Sequence, residues 1–245
     1  MNKFWDFIKN GATETEVESI ELHIKGDIVD DSQVWLYEWF DEQATAPNLF
    51  KDELSQYKGK DLTIVIDSYG GDLFAGASMY NALKEHSGKI TAKIEIAMSA
   101  ASVIAMAADE ILMSPVGVMM IHNPLTTASG NMHDLRKVAN VLDEVKESII
   151  NAYVTKTGRS RSKISQMMDD ETWMSANVAV KEGFADGVLY QDNMQVTNEI
   201  HNFSFNRLAV MNNANQSVQN AIDLMNVTDN DNSEYEKLLL ELDLI

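Results

Sequence analysis

A chain of 245 residues with 45% hydrophobic content is long enough to bury a substantial core. The absence of cysteine excludes disulfides, thiolate metal sites and cysteine catalysis, and a net charge of −19 argues against binding to a nucleic-acid backbone. No apolar run approaches the roughly 18 residues of a membrane span, and the N-terminus lacks the apolar core of a signal peptide. We therefore expect a cytoplasmic protein that binds neither nucleic acid nor membrane.

The sequence divides into three predicted parts. Residues 1–17 form an N-terminal arm in which aromatic residues crowd into an otherwise polar stretch. Residues 18–190 alternate strand-like and helix-like patterns and form the main domain. Residues 191–245 are rich in Asn, Gln, Ser and Asp, so we expect a weakly structured polar tail with short helical segments.

The first half of the main domain predicts an α/β fold. Residues 20–25 alternate between apolar and polar side chains, as a half-buried strand does, and Gly26 is expected to end that strand. Residues 62–66 form an apolar, β-branched run, which is typical of a strand buried on both faces. A turn at 67–72 and a helix at 73–86 follow. Strands thus alternate with helices, which favours a parallel sheet.

A serine and a histidine follow two consecutive apolar runs. The first run ends at Met98, just before Ser99, and the second, residues 116–121, ends just before His122. Between them lies an uncharged, helix-like segment of small and apolar residues over 99–108. This arrangement sets a serine hydroxyl beside an imidazole, and a serine needs such a base to become a nucleophile.

Each of these two residues also has a structural interpretation. A serine before a helix is commonly an N-cap, and a histidine after a strand is often only hydrogen-bonded. The small neighbours of Ser99, which leave room for a substrate carbonyl, and the position of His122 at a strand end favour catalysis. Ser102 is the rival hydroxyl, but we expect it to pack inward, one turn into the helix.

The sequence also supplies the other groups that acyl transfer needs. Gly70 and Gly71 can offer backbone N–H groups to an oxyanion, with the Ala100 N–H as a second donor, although such a glycine pair is usually only a turn. An acid that orients the imidazole would come from the cluster 169–171, and acidic clusters are mostly solvated surface. We find neither a GxxxxGK[ST] loop nor a metal-ligand cluster, so no cofactor is expected.

The second half of the domain contains the clearest helix. Apolar residues recur at three- and four-residue steps over 133–156, with charges on the other face, and Gly158 is placed for a C-terminal cap. Ser175 is expected to be the N-cap of a short helix that ends at Gly183.

Four segments together resemble the caseinolytic, or ClpP-type, serine peptidases, most closely the branch encoded by tailed phages and prophages. They match the family in order and spacing over about residues 18–190, and they are SYGGDLFAG, MSAASVIAMAADE, MMIHNPL and DDETWMSANVAVKEGFADGV. The resemblance implies the ClpP/crotonase-like spiral of ββα units. It also implies a homo-oligomeric ring, with rings stacked through the long helix around a proteolytic chamber.

The resemblance assigns roles residue by residue. Ser99 matches the family nucleophile and His122 the general base, while Gly71 and Ala100 match the oxyanion-hole positions. Glu171 falls at the position of the triad acid. The positions implied to contact substrate are Gly70 and Pro124.

The sequence departs from the family pattern at three positions. Glu171 stands where the family has aspartate, and the extra methylene leaves Asp170 as an alternative acid. Tyr69 replaces a proline before the glycines. Glu95 replaces a glycine four residues before the nucleophile, where a carboxylate could raise the pKa of His122 or obstruct the cleft.

The resemblance implies a serine endopeptidase that processes phage scaffold or capsid proteins during head maturation, in the cytoplasm of a bacterial host. It would need no ATP by itself, and whether an ATPase partner delivers substrate stays open. Two alternatives remain. A catalytically weak, ring-forming structural component of capsid assembly is suggested by Glu95 and Glu171, and an acyl-CoA enzyme of the crotonase type would share the spiral without needing Ser99 or His122.

Overall fold

The structure is a computed structural model that describes residues 7–9 and 20–190. The predicted tail at 191–245 and all of the predicted arm except residues 7–9 lie outside the described residues. The division of the chain into arm, main domain and tail therefore stays a prediction.

The described residues fall into two compact units, the first containing residues 7–9, 20–34 and 43–190 and the second containing Trp35–Glu42. The helices and strands, in chain order, are β1 (Phe7–Lys9), β2 (Ile20–Ile28), α1 (Val34–Trp39), β3 (Ala44–Thr45), α2 (Pro47–Ser55), β4 (Leu62–Gly71), α3 (Leu73–Glu85), β5 (Ile90–Met98), α4 (Ala100–Ala105), β6 (Glu110–Ile121), α5 (Met132–Thr157), α6 (Arg161–Asp169), β7 (Thr172–Ser175), α7 (Ala176–Glu182) and β8 (Gly187–Val188). Within the described residues of the second unit, α1 carries two exposed tryptophans, Trp35 and Trp39.

The first unit is built on one mixed sheet. Among the described residues its strands lie in the order β1-β2-β4-β5-β6-β7, with β3 beside β2 and β8 beside β6. The four central strands, β2, β4, β5 and β6, are parallel, whereas β1 and β7 pair antiparallel at the two ends of this order. The prediction of an α/β fold with parallel central strands is confirmed.

The central strands are buried by the helices that cover the sheet, which accounts for their apolar side chains. Ile64 and Ile66 of β4 and Ile94 of β5 have no exposed surface, and α4 is buried along its whole length. Burial of β-branched and small side chains on a central parallel strand is the usual pattern when helices cover the sheet. The core therefore extends to the ends of β5 and β6, just before the predicted catalytic residues.

Two predicted strand ends are wrong. Gly26 does not end β2, which continues to Ile28 after a register shift between Lys25 and Asp27. The predicted turn at 67–72 instead belongs largely to β4, which stays paired with β2 as far as Gly71. In both places a glycine with positive φ bends a strand that keeps its hydrogen bonds, and sequence alone does not separate such a bulge from a turn.

The predicted helix ends lie closer to the observed ends than the predicted strand ends do. The long helix α5 extends one residue beyond the prediction at each end, and Gly158 adopts the left-handed conformation of a C-terminal cap. Ser175 occupies the N-cap position of α7, which is followed by a left-handed Gly183. The helix after Ser99 is shorter than predicted, since α4 ends at Ala105. Across residues 7–9 and 20–190, no helix combines the length and apolar character needed to cross a membrane.

Gly26 and Gly158 provide a matched test of the bulge in β2. Both have similar positive φ angles, 69° and 66°, but a Cβ on Gly26 would overlap the Gln43 carbonyl, whereas a Cβ on Gly158 would have no neighbour within 4 Å. We expect Gly158→Ala to cost about 1–2 kcal/mol for the left-handed conformation, and Gly26→Ala to cost clearly more because the strand must also shift. Urea denaturation of both variants measures the difference, and equal losses would contradict this account of the bulge.

Candidate active site

Ser99 occupies a strained turn between β5 and α4. Its φ of 53° and ψ of −124° lie in a region that L-residues other than glycine rarely adopt. Such a conformation costs on the order of 1–3 kcal/mol and persists only where neighbouring groups hold it. Here the Ser99 N–H donates to the Met120 carbonyl at 2.9 Å, and the Ser99 carbonyl accepts from the Ser102 N–H at 3.0 Å.

His122 lies beside Ser99 because β5 and β6 are parallel neighbours. The register pairs Met98 with Met120, so both strands end at the same edge of the sheet, and the residues that follow them come together. The distance from His122 Nε2 to Ser99 Oγ is 2.7 Å, and His122 is half-buried. With the ring proton on Nδ1, the hydroxyl donates to Nε2, which is the geometry of a serine beside its general base.

The two glycines make close backbone approaches that a side chain would prevent, Gly70 to the Ser99 turn and Gly71 to β2. A Cβ on Gly70 would lie 2.7 Å from the Ser99 Cβ and 3.0 Å from the Ala100 nitrogen, and a Cβ on Gly71 would overlap the Ile28 carbonyl. Both glycines also have positive φ, 100° and 142°. The structure therefore brings Gly70 against the turn that contains Ser99 and Ala100, whereas Gly71 lies against Ile28. Which N–H groups act in the oxyanion hole stays a prediction.

The three acidic residues at 169–171 have different surroundings. Glu171 has a positive φ of 47°, and its Oε1 accepts from the Trp173 indole N–H at 3.3 Å. Asp170 follows the last residue of α6 as its C-cap. Asp169, which the sequence grouped with the other two but did not single out, accepts a hydrogen bond from Asn123, the residue after His122. The choice between Glu171 and Asp170 as the orienting acid stays a prediction.

Comparison with known proteins identifies the family to which the chain belongs. The sequence model described as Clp protease matches residues 20–192, which is most of the chain and includes all the predicted site residues. The chain belongs to the Clp protease family. This match favours a Clp protease over the acyl-CoA enzyme that the sequence left as an alternative, and the mixed α/β sheet is consistent with the ClpP fold.

Curated relatives in this family are proteolytic subunits. The chain is 34% identical over 140 residues to the ATP-dependent Clp protease proteolytic subunit 1 of Chlamydia muridarum, covering 55% of this chain and 73% of the relative. The same values hold for the Chlamydia trachomatis protein of that name. Similarity to the ATP-dependent Clp protease proteolytic subunit of Bacteroides fragilis is 31% over 134 residues, or 54% of this chain and 65% of the relative.

Two further positions noted in the sequence of this Clp protease family member lie on β5 and just after His122. Pro124 is half-buried two residues after His122. Glu95 is exposed on β5, at the register shift between Ile94 and Ile96. Its expected influence on the cleft stays a prediction. Within the described segments, no three His, Asp or Glu side chains converge as a metal ion would require.

A buried serine that the sequence pattern does not single out, Ser68, lies next to the glycine pair. Ser68 is 1% exposed; its Oγ donates to the Gly26 carbonyl at 2.6 Å and accepts from the Gly70 N–H at 3.1 Å. It therefore joins the bulge in β2 to the glycines beside Ser99. A polar residue at a buried position of a central strand was the available signal.

A second missed group links α5 to the loop that carries His122. Lys146 Nζ and Asn123 Nδ2 both donate to Asp169 Oδ1, at 2.6 Å and 2.8 Å. These hydrogen bonds, that from Lys146 first, lower the pKa of the Asp169 carboxyl. Asn123 is thereby oriented, since a carboxylate only accepts and must face the amide nitrogen.

Replacement of Lys146 by methionine tests this linkage. We expect the pKa of Asp169 to rise towards the ordinary aspartate value of about 3.9. A carboxyl whose pKa is lowered in the folded state contributes stability at pH values above its unfolded pKa, and this contribution is lost as the pH falls through the folded pKa. Below about pH 4, wild type should therefore lose more stability than Lys146→Met does. Carboxyl NMR titration of Asp169 measures the shift. Lys89→Met, which removes a partner of Glu110 instead, is the control, and an unchanged Asp169 pKa in Lys146→Met would contradict the linkage.

Proposed function

We propose that this chain is a serine endopeptidase of the ClpP type that cleaves peptide bonds through an acyl-enzyme. The observation that carries the proposal is the 2.7 Å contact between Ser99 Oγ and His122 Nε2, made by a serine at the tip of a strained turn. Family membership supports the same chemistry, since the curated relatives are named as proteolytic subunits.

The proposed reaction has two stages. Ser99 Oγ attacks the peptide carbonyl carbon while its proton passes to His122 Nε2, and the imidazolium then gives that proton to the departing amine. A water molecule gives a proton to His122 as it attacks the acyl-enzyme carbonyl; the bond from that carbon to Ser99 Oγ then breaks, the proton passes from His122 to Oγ, and the carboxylic acid leaves. The negative oxygen formed in each stage would be stabilised by the Gly71 and Ala100 N–H groups. One such donor contributes on the order of 10²–10³ in rate in serine peptidases.

The acid in the proposed triad is Glu171, with Asp170 as the alternative. Glu171 lies directly before β7, which pairs antiparallel with β6 and so returns the chain towards the end of β6, where His122 follows. Its hydrogen bond from Trp173 restrains the longer side chain that replaces the family's aspartate. Gly70 and Pro124, on either side of the dyad in sequence, would contact the substrate backbone.

We propose that the active form is a homo-oligomeric ring, with stacking of rings through α5. A groove of about 660 Å³ between α3 and α5 supports an interface between copies of the chain. Its lining includes Phe74 and Val141, which are 69% and 51% exposed, so the groove presents an apolar patch of the kind that marks interaction sites. A second copy of the chain would cover them.

The proposed substrates are phage scaffold and capsid proteins, processed during head maturation in the bacterial cytoplasm. The support is the resemblance of the four sequence motifs to the phage-encoded branch of the family. Peptide hydrolysis by the dyad consumes no nucleotide, so the chain would cleave unfolded substrates without ATP. A partner unfoldase would be needed only for folded ones.

Labelling with a fluorophosphonate probe tests the proposed activity. We expect wild type to be labelled, and labelling to fall by at least about 10³-fold in Ser99→Ala and in His122→Ala, because loss of either dyad member removes the activated nucleophile. The matched controls are Ser55→Ala and His133→Ala, which change exposed residues outside the site and should label as wild type does.

The alternative of a structural ring component predicts a different result. Wild type would stay unlabelled while sedimenting as a ring, and that outcome would overturn the peptidase proposal. Equal labelling of wild type and Ser99→Ala would overturn the assignment of the nucleophile.

A further inference from the structure

Two buried hydroxyl groups lie behind Ser99 and have no role in the proposed reaction. Ser102, on α4, has no exposed surface, and Tyr153, on α5, is 1% exposed. The Ser102 Oγ lies 2.6 Å from the Ser99 carbonyl oxygen and 2.8 Å from the Tyr153 hydroxyl. As the sequence predicts, Ser102 packs inward.

The direction of both hydrogen bonds follows from the chemistry of the groups. A carbonyl oxygen only accepts, so the single Ser102 hydroxyl proton is donated to the Ser99 carbonyl. The Tyr153 hydroxyl must then donate to Ser102 Oγ. This requires a protonated tyrosine, and burial raises the pKa of Tyr153 far above its usual range. The direction of donation is therefore fixed: Tyr153 donates to Ser102, and Ser102 donates to the carbonyl of Ser99.

The carbonyl at the end of this chain belongs to a functionally important peptide group. The Ser99 carbonyl and the Ala100 N–H are parts of one planar peptide unit, so fixing the direction of the C=O bond also fixes that of the N–H bond. The same oxygen accepts from the backbone N–H groups of Ser102 and Val103, but at 3.0 Å and 3.4 Å. The hydroxyl makes the shortest of the three contacts. Because the φ of Ser99 is unfavourable, the peptide unit needs such restraint.

We propose that Ser102, supported by Tyr153, is a positioning residue that aims the Ala100 N–H at the oxyanion formed during peptide cleavage. The inference rests on the proposed function, since it assumes that Ser99 is the nucleophile and that the Ala100 N–H is an oxyanion donor. Ser102 touches neither substrate nor the reacting atoms. Its effect is on how well the transition state is stabilised, because misdirection of a donor weakens its hydrogen bond to the oxyanion.

A purely structural role for the two hydroxyls makes a distinguishable prediction. Ser102→Ala leaves the Tyr153 hydroxyl buried without its acceptor, which destabilises the fold, whereas removing both hydroxyls together is close to neutral. In a structural role, activity would therefore recover in the double variant along with stability. In a positioning role, stability would recover and activity would not.

The experiment compares Ser102→Ala, Tyr153→Phe and the double variant by melting temperature and by the kinetics of fluorophosphonate labelling. We expect Ser102→Ala to lower both the melting temperature and the maximal labelling rate, the rate by at least about tenfold, with half-saturation by the probe within about twofold of wild type. The double variant should regain the melting temperature of Tyr153→Phe but keep the slow rate. Tyr153→Phe alone should label within about threefold of wild type, because Ser102 still donates to Ser99.

Ser55→Ala is the matched control. It also removes a serine hydroxyl that donates to the carbonyl three residues earlier, that of Asp52, but at an exposed position outside the site. If the alanine variants do not fold, Ser102→Cys supplies the test, since a thiol is a weaker donor of similar shape and should give an intermediate rate.

The results separate this inference from the function on which it rests. Unlabelled wild type would overturn the proposed function and the inference together. Labelled wild type with a folded double variant that reacts within twofold of the wild-type rate would overturn the inference alone, as would a Ser102→Cys variant with the wild-type rate.

Discussion

The parallel pairing of β5 with β6 is the constraint on which the candidate site depends. Because Met98 and Met120 are register partners, the residues that follow the two strands must lie at one edge of the sheet. That edge brings Ser99 Oγ within 2.7 Å of His122 Nε2. The site sits at the carboxyl ends of these strands, where open α/β sheets commonly hold their ligands.

The second requirement is that an unfavourable backbone be held in place. The Ser99 turn is restrained by Met120 through a backbone hydrogen bond and by Ser102 through a hydroxyl. Gly70 leaves space for it, and Ser68 holds the Gly70 N–H from the other side. Met120, Ser102 and Ser68 are themselves buried, so packing and hydrogen bonding around the turn offset the energy stored in it.

The sequence was sufficient for the parts of the site that follow from local patterns. Ser99 and His122 each directly follow an apolar strand, and the apolar runs in the sequence locate the ends of these two strands. It was insufficient where a side chain bonds across the fold. The bonds of Asp169 to Asn123 and of Ser102 to Tyr153 join residues 46 and 51 positions apart, and no local pattern encodes such partners. The glycines at 26, 70 and 71 misled for a related reason, since a bulge inside a paired strand and a turn that ends it use the same residue type.

The central claim is that His122 activates Ser99 and no other hydroxyl. Digestion of fluorophosphonate-treated protein, followed by mass spectrometry of the peptides, identifies the modified residue directly. The account predicts a single adduct, on Ser99, that is absent when the protein carries His122→Ala. An adduct on Ser102 or on another serine, or an adduct on Ser99 that persists without His122, would contradict it.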